Sequence, residues 1–148
     1  MGIKQELEKA LRDAMKNNDV LKKSTLRLAL SSIQLAEVEK YGALDDQAIL
    51  AILQKEVKMR RETIEDAEKG NRKDIVDEKL AEIKILEGFL PKQLSEAELT
   101  ELAKKAIQEA GASAVNDSGK VMKVLMPQVA GRAPGDQVSK IVRQLLQN

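Results

Sequence analysis

Apolar residues recur at steps of three and four along almost the whole chain, and no stretch alternates with a period of two. This spacing places the apolar side chains on one side of successive helices. The first run covers residues 3–16, and Asp19 is suited to cap a second helix over residues 20–40. The pattern predicts an all-helical protein without a sheet.

Two further helices are expected before the first proline. The third runs from a cap at Asp45 or Asp46 to the Gly70-Asn71 turn. The fourth ends near Phe89, because Pro91 disfavours helical backbone at the residue before it. Pro91 is therefore the expected boundary, with a four-helix bundle or hairpin unit over residues 1–90 and a three-helix unit over residues 91–148.

Apolar stripes define the expected buried sides of the second and fourth helices. Leu28 and Leu35 are assigned to the buried stripe of the second helix, and Leu80 to that of the fourth. The second helix is expected to end through the glycine of Tyr41-Gly42.

The C-terminal unit carries clear helix boundaries. Ser95 and Glu98 have the spacing of a capping box, so a fifth helix should begin there and end at Gly111. A cap at Asp117 or Ser118 begins the sixth helix. The seventh is expected to open at residues 134–136, Pro-Gly-Asp.

The composition removes most catalytic chemistry. The chain has no cysteine and no histidine, which excludes disulfides and thiolate nucleophiles and removes the commonest general base and metal ligand. It contains no GxxxxGK[ST] phosphate loop and no dinucleotide fingerprint. Glu62, Glu65 and Asp66 cluster, but such carboxylates usually lie on a solvated helix face. We therefore assign no catalytic residue, no cofactor-binding residue and no metal ligand.

The distribution of charge indicates a different kind of site. The net charge is +1, but residues 119–148 hold five basic residues and one acidic residue. Such a local excess can attract an anion even in a neutral protein. The candidate RNA-binding residues are Lys120, Lys123, Arg132, Lys140 and Arg143. The alternative is that they are ordinary solubilising charges.

A second charged region spans residues 55–82, where 17 residues are charged with interleaved signs. We interpret it as a solvated face of two helices with i to i+4 ion pairs, such as Glu56 with Arg60. The competing interpretation is a binding surface centred on Lys58, Arg60 and Arg61.

No apolar run approaches the roughly 20 residues that a membrane-spanning helix needs. The charged N-terminal residues do not have the pattern of a signal peptide. We expect a soluble cytoplasmic protein with no membrane partner.

Two stretches of the chain resemble the YqeY family. Residues 89–99, FLPKQLSEAEL, are similar to the family's YLPKQLSEEEL signature, with Phe89 in place of tyrosine. Residues 119–127, GKVMKVLMP, followed by Gly-Arg-Ala at 131–133, carry a second match, and the MKNND and LRLALSSI patterns extend it to nearly the whole chain. The resemblance indicates a bacterial protein.

The resemblance implies a two-part helical protein. Its C-terminal part would be similar to the tail domain of GatB, the B subunit of the glutamine-dependent aspartyl/glutamyl-tRNA amidotransferase, which is implied to help hold tRNA. A carbon–nitrogen ligase activity with glutamine as amide donor is implied only by association, because the chain has neither an amidase nucleophile set nor a nucleotide site.

Relatives often continue Gly-Arg-Ala as Asp-Gly-Lys. Here Pro134-Gly135-Asp136 replaces a cation with an anion and weakens the phosphate argument at that position.

Three functions remain open from the sequence. The first is an accessory protein that binds tRNA or another structured RNA through the basic C-terminal residues. The near absence of aromatic residues argues against stacking on single strands and favours contacts to phosphates and shape. The second is a helical module that docks a protein partner, and the third is an enzyme that amidates by itself.

Overall fold

The computed structural model describes residues 2–147, which form seven α-helices, one short 3-10 turn and no strand. The all-helical prediction is confirmed. The helices are α1 (Ile3–Lys16), α2 (Val20–Lys40), α3 (Asp46–Lys69), α4 (Lys73–Glu87), α5 (Glu96–Ala110), α6 (Ser118–Val129) and α7 (Gly135–Gln147). Within this described range, no helix is both long and apolar enough to cross a membrane.

The chain divides into two compact units, Met1–Pro91 and Lys92–Asn148, here called the N-terminal and C-terminal units. The first contains α1 to α4, and the second contains α5 to α7. Each unit has its own hydrophobic core.

Helix starts follow the caps that the sequence indicates. The Asp19 carboxylate accepts a hydrogen bond from the Lys22 N–H at 3.1 Å, and Asp45 accepts one from the Ala48 N–H at 2.9 Å. The capping box of α5 is formed in both directions, with Glu98 N–H donating to Ser95 Oγ at 3.1 Å and Ser95 N–H donating to Glu98 Oε1 at 3.2 Å. These side chains satisfy amides that the first turn of a helix leaves unpaired.

Two helix boundaries differ from expectation. Tyr41, not Gly42, takes the left-handed conformation at the end of α2, with φ of 59°. Asp117 precedes α6 but does not cap it by its side chain. Its carboxylate instead accepts hydrogen bonds from the N–H groups of Ser113 and Ala114, at 3.1 and 3.4 Å, which closes the turn before α6.

Leucine, isoleucine and valine build the core of the N-terminal unit. Three leucines assigned to it are instead on the surface. Leu28, Leu35 and Leu80 are 57%, 61% and 47% exposed. The stripe of α2 is narrower than its leucine content suggests, because its buried side passes through Leu26, Ala29 and Ile33. The largest fully buried side chains of this core are Leu7, Leu26, Ile33, Ile49, Leu53 and Leu86.

Residues 55–82 do not form the uniformly solvated face that their charge pattern suggests. The predicted ion pair is present, with Arg60 Nη1 2.8 Å from Glu56 Oε2, but both residues are buried. Arg60 Nε also donates to Glu82 Oε1 at 3.2 Å, and Lys79 Nζ lies 3.0 Å from Glu82 Oε2. Ser32 of α2 donates to Glu56 Oε1 at 2.9 Å. The charged residues therefore connect α3 and α4, and the serine extends the network to α2.

The C-terminal unit has an apolar core to which all three of its helices contribute. Val121, Leu125 and Val129 of α6 are fully buried. On α7, Val138 and Val142 are fully buried, Ile141 is 5% exposed and Leu145 is half-buried. Small residues of α5, chiefly Ala103 and Ala106, complete this core.

Candidate nucleic-acid interface

The turn between α6 and α7 is held by the segment that begins the C-terminal unit. The Leu94 N–H donates to the Arg132 carbonyl at 2.9 Å, and Gln93 Nε2 donates to the Gly131 carbonyl at 2.9 Å. The Arg132 N–H closes the turn on the Val129 carbonyl at 2.8 Å. Gly131 has a φ of 77°, a conformation that favours glycine. The backbone carrying Arg132 is therefore fixed from three directions.

Arg132 uses only part of its guanidinium group inside the protein. Its Nε donates to the Lys92 carbonyl at 3.2 Å, and its side chain is half-buried. Among residues 2–147, no protein acceptor is recorded for its two terminal nitrogens. A guanidinium held through Nε keeps a pair of parallel N–H donors, which matches the geometry of a phosphate.

Lys92 is a cation that the sequence reasoning missed, because it lies outside the basic segment 119–148. Its exposed side chain belongs to the same neighbourhood as Arg132. The pKa of Glu98 is lowered chiefly by its hydrogen bonds with the backbone and side chain of Ser95, and Lys92 and Arg132 lower it further by their charge. The sequence shows a cation in the Pro-Lys-Gln segment at residues 91–93. It does not show that this segment contacts the turn that carries Arg132.

The two lysines of α6 are exposed. They stand three residues apart, which places them on one side of the helix, opposite the buried Val121, Leu125 and Val129. Lys120 Nζ lies 3.8 Å from Asp117 Oδ1, with the lysine side chain 72% exposed. Such a long, solvated ion pair holds Lys120 weakly and leaves it able to exchange partners.

The two cations of α7 are arranged in the same way. Lys140 and Arg143 are exposed, also three residues apart, and lie opposite the buried Val138 and Val142. The structure thus places the candidate residues in three groups: two lysines on α6, a lysine and an arginine on α7, and Arg132 near Lys92. No recorded contact of residues 2–147 joins the pair on α6 to the pair on α7. A single surface shared by all of them stays a prediction.

Acidic residues reduce the positive electrostatic potential of the C-terminal unit. Asp117 is bound to backbone amides, which lower its pKa, with a smaller contribution from the charge of Lys120. Asp136 lies exposed in the first turn of α7, where its carboxylate accepts from the Gln137 N–H at 3.0 Å. Residues 92–148 contain eight basic and six acidic residues, giving +2. The surface is therefore mildly basic.

Exposed cations of this kind can attract an anion. No group of three or more carboxylates suited to hold a metal ion occurs among the described residues. The exposed Glu62, Glu65 and Asp66 lie on α3, in the other unit. The buried carboxylates of that unit, Glu56 and Glu82, are paired with Arg60 and Lys79. Of these pairs, Arg60 with Glu82 connects α3 to α4.

Seven helices in two compact units, the second with an anchored arginine turn and exposed cations on two helices, define a small all-helical protein. Residues 4–146 match the YqeY family, described as Yqey-like protein. The chain therefore belongs to the YqeY family, as its sequence resemblance indicated.

Its curated relatives are fungal proteins. Altered inheritance of mitochondria protein 41, mitochondrial, of Pyrenophora tritici-repentis is 27% identical over 144 residues, which cover 95% of this chain and 78% of the relative. The protein of the same name in Lachancea thermotolerans is 36% identical over 57% of this chain and 46% of its own length. An uncharacterized protein of Schizosaccharomyces pombe is 33% identical over 64% of this chain and 76% of the relative. These names include a mitochondrial location but no ligand or reaction.

Proposed function

We propose that this protein is a non-catalytic accessory protein that binds tRNA or a similarly folded RNA through its C-terminal unit. The observation that carries the proposal is the anchored Arg132, whose Nε is held by the Lys92 carbonyl while its terminal nitrogens have no recorded acceptor in residues 2–147. A guanidinium that is already held through its Nε loses less side-chain entropy on binding a phosphate than an unattached one.

The surrounding cations supply the rest of the binding surface. Lys123, Lys140 and Arg143 are exposed on helices that flank the turn, and Lys92 extends the basic region beyond it. Because the net charge of the unit is only +2, the affinity should be modest. Binding should weaken as salt is added, because each contact between a cation and a phosphate releases counterions. Non-specific binding of this kind has a Kd of about 1–100 µM at physiological salt.

Folded RNA is the partner that the composition favours. The C-terminal unit contains no aromatic residue, so it has no side-chain ring on which to stack an unpaired base. Contacts to phosphates and shape recognition on a helical RNA remain available. The GatB-tail likeness of this unit and the link to amide transfer are part of the same proposal, as an association with that reaction, in the cytoplasm of a bacterial cell.

The test is fluorescence anisotropy with a labelled tRNA mixture at low salt. Replacing Lys123 and Arg143 with alanine should weaken binding about tenfold or more, because each removes a phosphate contact. The matched control replaces Lys104 and Lys105, two exposed lysines of α5 in the same unit, and should bind like the parent. Arg132→Lys keeps the positive charge but removes the pair of parallel N–H donors of the guanidinium, so it should also weaken binding.

Circular dichroism should show the same helicity in all of these proteins, since every altered side chain except Arg132 is exposed. The proposal fails if the parent does not bind tRNA, or if the variant at Lys123 and Arg143 binds as tightly as the control.

A second candidate function is a helical module that binds another protein. The exposed Leu28, Leu35 and Val38 of α2 favour it, because clustered apolar side chains on a surface often mark an interface. This candidate involves the N-terminal unit and would remain if the C-terminal unit bound no RNA.

A further inference from the structure

The solvent side of α2 is unusually apolar. Of the nine large apolar side chains that are exposed among residues 2–147, four lie on this helix and a fifth, Tyr41, ends it. These five are Val20, Leu28, Leu35, Val38 and Tyr41, with exposures between 57% and 97%. The side of α2 that packs inside the unit passes instead through Leu26, Ala29 and Ile33. The helix therefore has two apolar sides, and only one of them is covered in the N-terminal unit.

The outer side has the spacing of a coiled-coil seam. Leucine recurs every seventh residue at 21, 28 and 35, and the intervening positions at 24, 31 and 38 are occupied by serine, serine and valine. Steps of three and four over this length are the a and d positions of successive heptads. Leu21 is half-buried, whereas the other five residues of the seam are exposed.

Large and small residues alternate along this seam in a way that complements itself. In an antiparallel pair centred between residues 29 and 30, Leu28 of one helix faces Ser31 of the other, and Leu35 faces Ser24. Leu21 then faces Val38, so all six layers join a leucine to a smaller side chain. A parallel pair would instead stack leucine on leucine and serine on serine, which leaves alternating crowded and empty layers.

The residues beside the seam agree with the antiparallel register. On one flank, Arg27 lies nearest Gln34 of the partner helix and Val20 nearest Tyr41, each pair offset by two residues, or about 3 Å, from direct opposition. The second pair would cover two of the most exposed apolar side chains among residues 2–147. No like charges face each other on this flank. The Ser24 hydroxyl already donates to the Leu21 carbonyl at 3.0 Å, so burying it would leave no unpaired donor.

We propose that α2 binds α2 of a second copy of this chain, antiparallel about a two-fold axis between residues 29 and 30. A two-fold contact uses the same surface on both partners, which is what this complementarity requires. The helix is about 31 Å long, and a single pair of such helices buries less than the roughly 800 Å² per partner of a stable complex. The dimer should therefore be weak and reversible.

Sedimentation equilibrium tests the association. Between about 1 and 500 µM, the average mass of the parent should rise from 16.4 kDa towards twice that value. Replacing Leu28 and Leu35 with glutamate should raise the dissociation constant tenfold or more, because four carboxylates would enter the contact. The matched control is Met15→Glu with Leu80→Glu, which adds the same charge at two comparably exposed apolar positions outside α2.

Engineered cysteines test the register, since the chain has no cysteine of its own. Ser24→Cys and Leu35→Cys chains, mixed and oxidised, should form a disulfide between unlike chains. Ser24→Cys alone should not, because the two copies of residue 24 would be offset by 11 residues, or about 16 Å, beyond the roughly 7 Å that a disulfide spans between Cα atoms.

The proposal is overturned if the parent stays monomeric at the highest concentration, or if the glutamate variant at Leu28 and Leu35 associates as tightly as the control. A disulfide between two Ser24→Cys chains would overturn the antiparallel arrangement. A different protein that binds this surface while the chain itself remains monomeric would make α2 a docking site for that protein and would likewise reject self-association.

Discussion

In the N-terminal unit, Glu56, Arg60 and Glu82 lie inside the protein and join neighbouring helices. In the C-terminal unit, the core is apolar and the candidate cations lie on the surface or in a turn. Charged residues therefore connect helices inside the N-terminal unit, whereas in the C-terminal unit the candidate cations lie outside the core. Arg60 is buried where carboxylates from its own helix and from α4 surround it, whereas the candidate cations of the C-terminal unit are not enclosed in this way and remain accessible to water. Counting charges along the chain cannot separate these cases.

The largest expected effect comes from removing Arg60. Arg60→Ala would leave Glu56 and Glu82 buried without their shared cation, so it should destabilise the N-terminal unit by about 3–5 kcal/mol. Urea unfolding, followed by amide hydrogen exchange in α3 and α4, measures the loss. The control is Arg61→Ala, since Arg61 is 58% exposed and lies 3.5 Å from Glu87. It should cost less than about 1 kcal/mol. Equal losses from the two variants would mean that the buried network does not differ from a surface pair.

The core of the C-terminal unit should show the opposite sensitivity. Leu125→Ala removes a fully buried side chain and should cost about 3 kcal/mol through lost burial and the cavity left behind. Lys123→Ala, two residues away on the exposed side, should change stability by less than about 0.5 kcal/mol. Hydrogen exchange of the α6 amides reports both. A large loss from Lys123→Ala would show that its charge supports the fold.

A smaller effect is expected at the start of α5. Ser95→Ala removes the acceptor for the Glu98 N–H and should cost about 1 kcal/mol. Thermal unfolding measures it, with Ser113→Ala as the control, because the Ser113 side chain caps no helix. If the two variants unfold at the same temperature, the capping box contributes nothing measurable.

The capping box also predicts a pH dependence. The Ser95 hydrogen bonds lower the pKa of Glu98 in the folded unit, so the unfolded chain binds its proton more readily. The stabilisation is complete above the ordinary glutamate pKa, near 4.5, and is lost as the pH falls through the lower folded value. An NMR titration should find the pKa of Glu98 below 4.5 in the parent. In Ser95→Ala it should rise only part of the way, because the variant loses the side-chain hydrogen bond and keeps the larger contribution of the residue 95 backbone N–H. A pKa of Glu98 at or above 4.5 in the parent would contradict the assigned cause.

The sequence predicted the helices well because their signals are local. Asp19, Asp45, Ser95 and Glu98 each act on amides within three residues, and the apolar spacing repeats within each helix. The predicted end of α2 was wrong, because Tyr41 takes the left-handed conformation one residue before Gly42.

Burial was harder to predict, because it depends on which helices meet. Leu28 and Leu35 fit an inward stripe by spacing, yet they lie on the uncovered side of α2. The ion pair of Glu56 with Arg60 followed from its spacing, whereas its burial depends on Glu82 of another helix. Lys92 was missed at the candidate site for the same reason, since its approach to Arg132 crosses 40 residues of sequence. The RNA-binding role of Lys120, Lys123, Arg132, Lys140 and Arg143 stays a prediction.

The most direct test of this role is the salt dependence of tRNA binding. Each phosphate contact made by a cation should contribute about 0.9 to the slope of log Kd against log salt on duplex RNA, by analogy with duplex DNA. Replacing Lys123, Arg132 and Arg143 with alanine should therefore weaken binding and reduce the slope by about 2–3. Replacing Lys58 and Arg61 of the N-terminal unit should leave the slope unchanged. A parent that binds no tRNA, or a triple variant with the parental slope, would contradict the account.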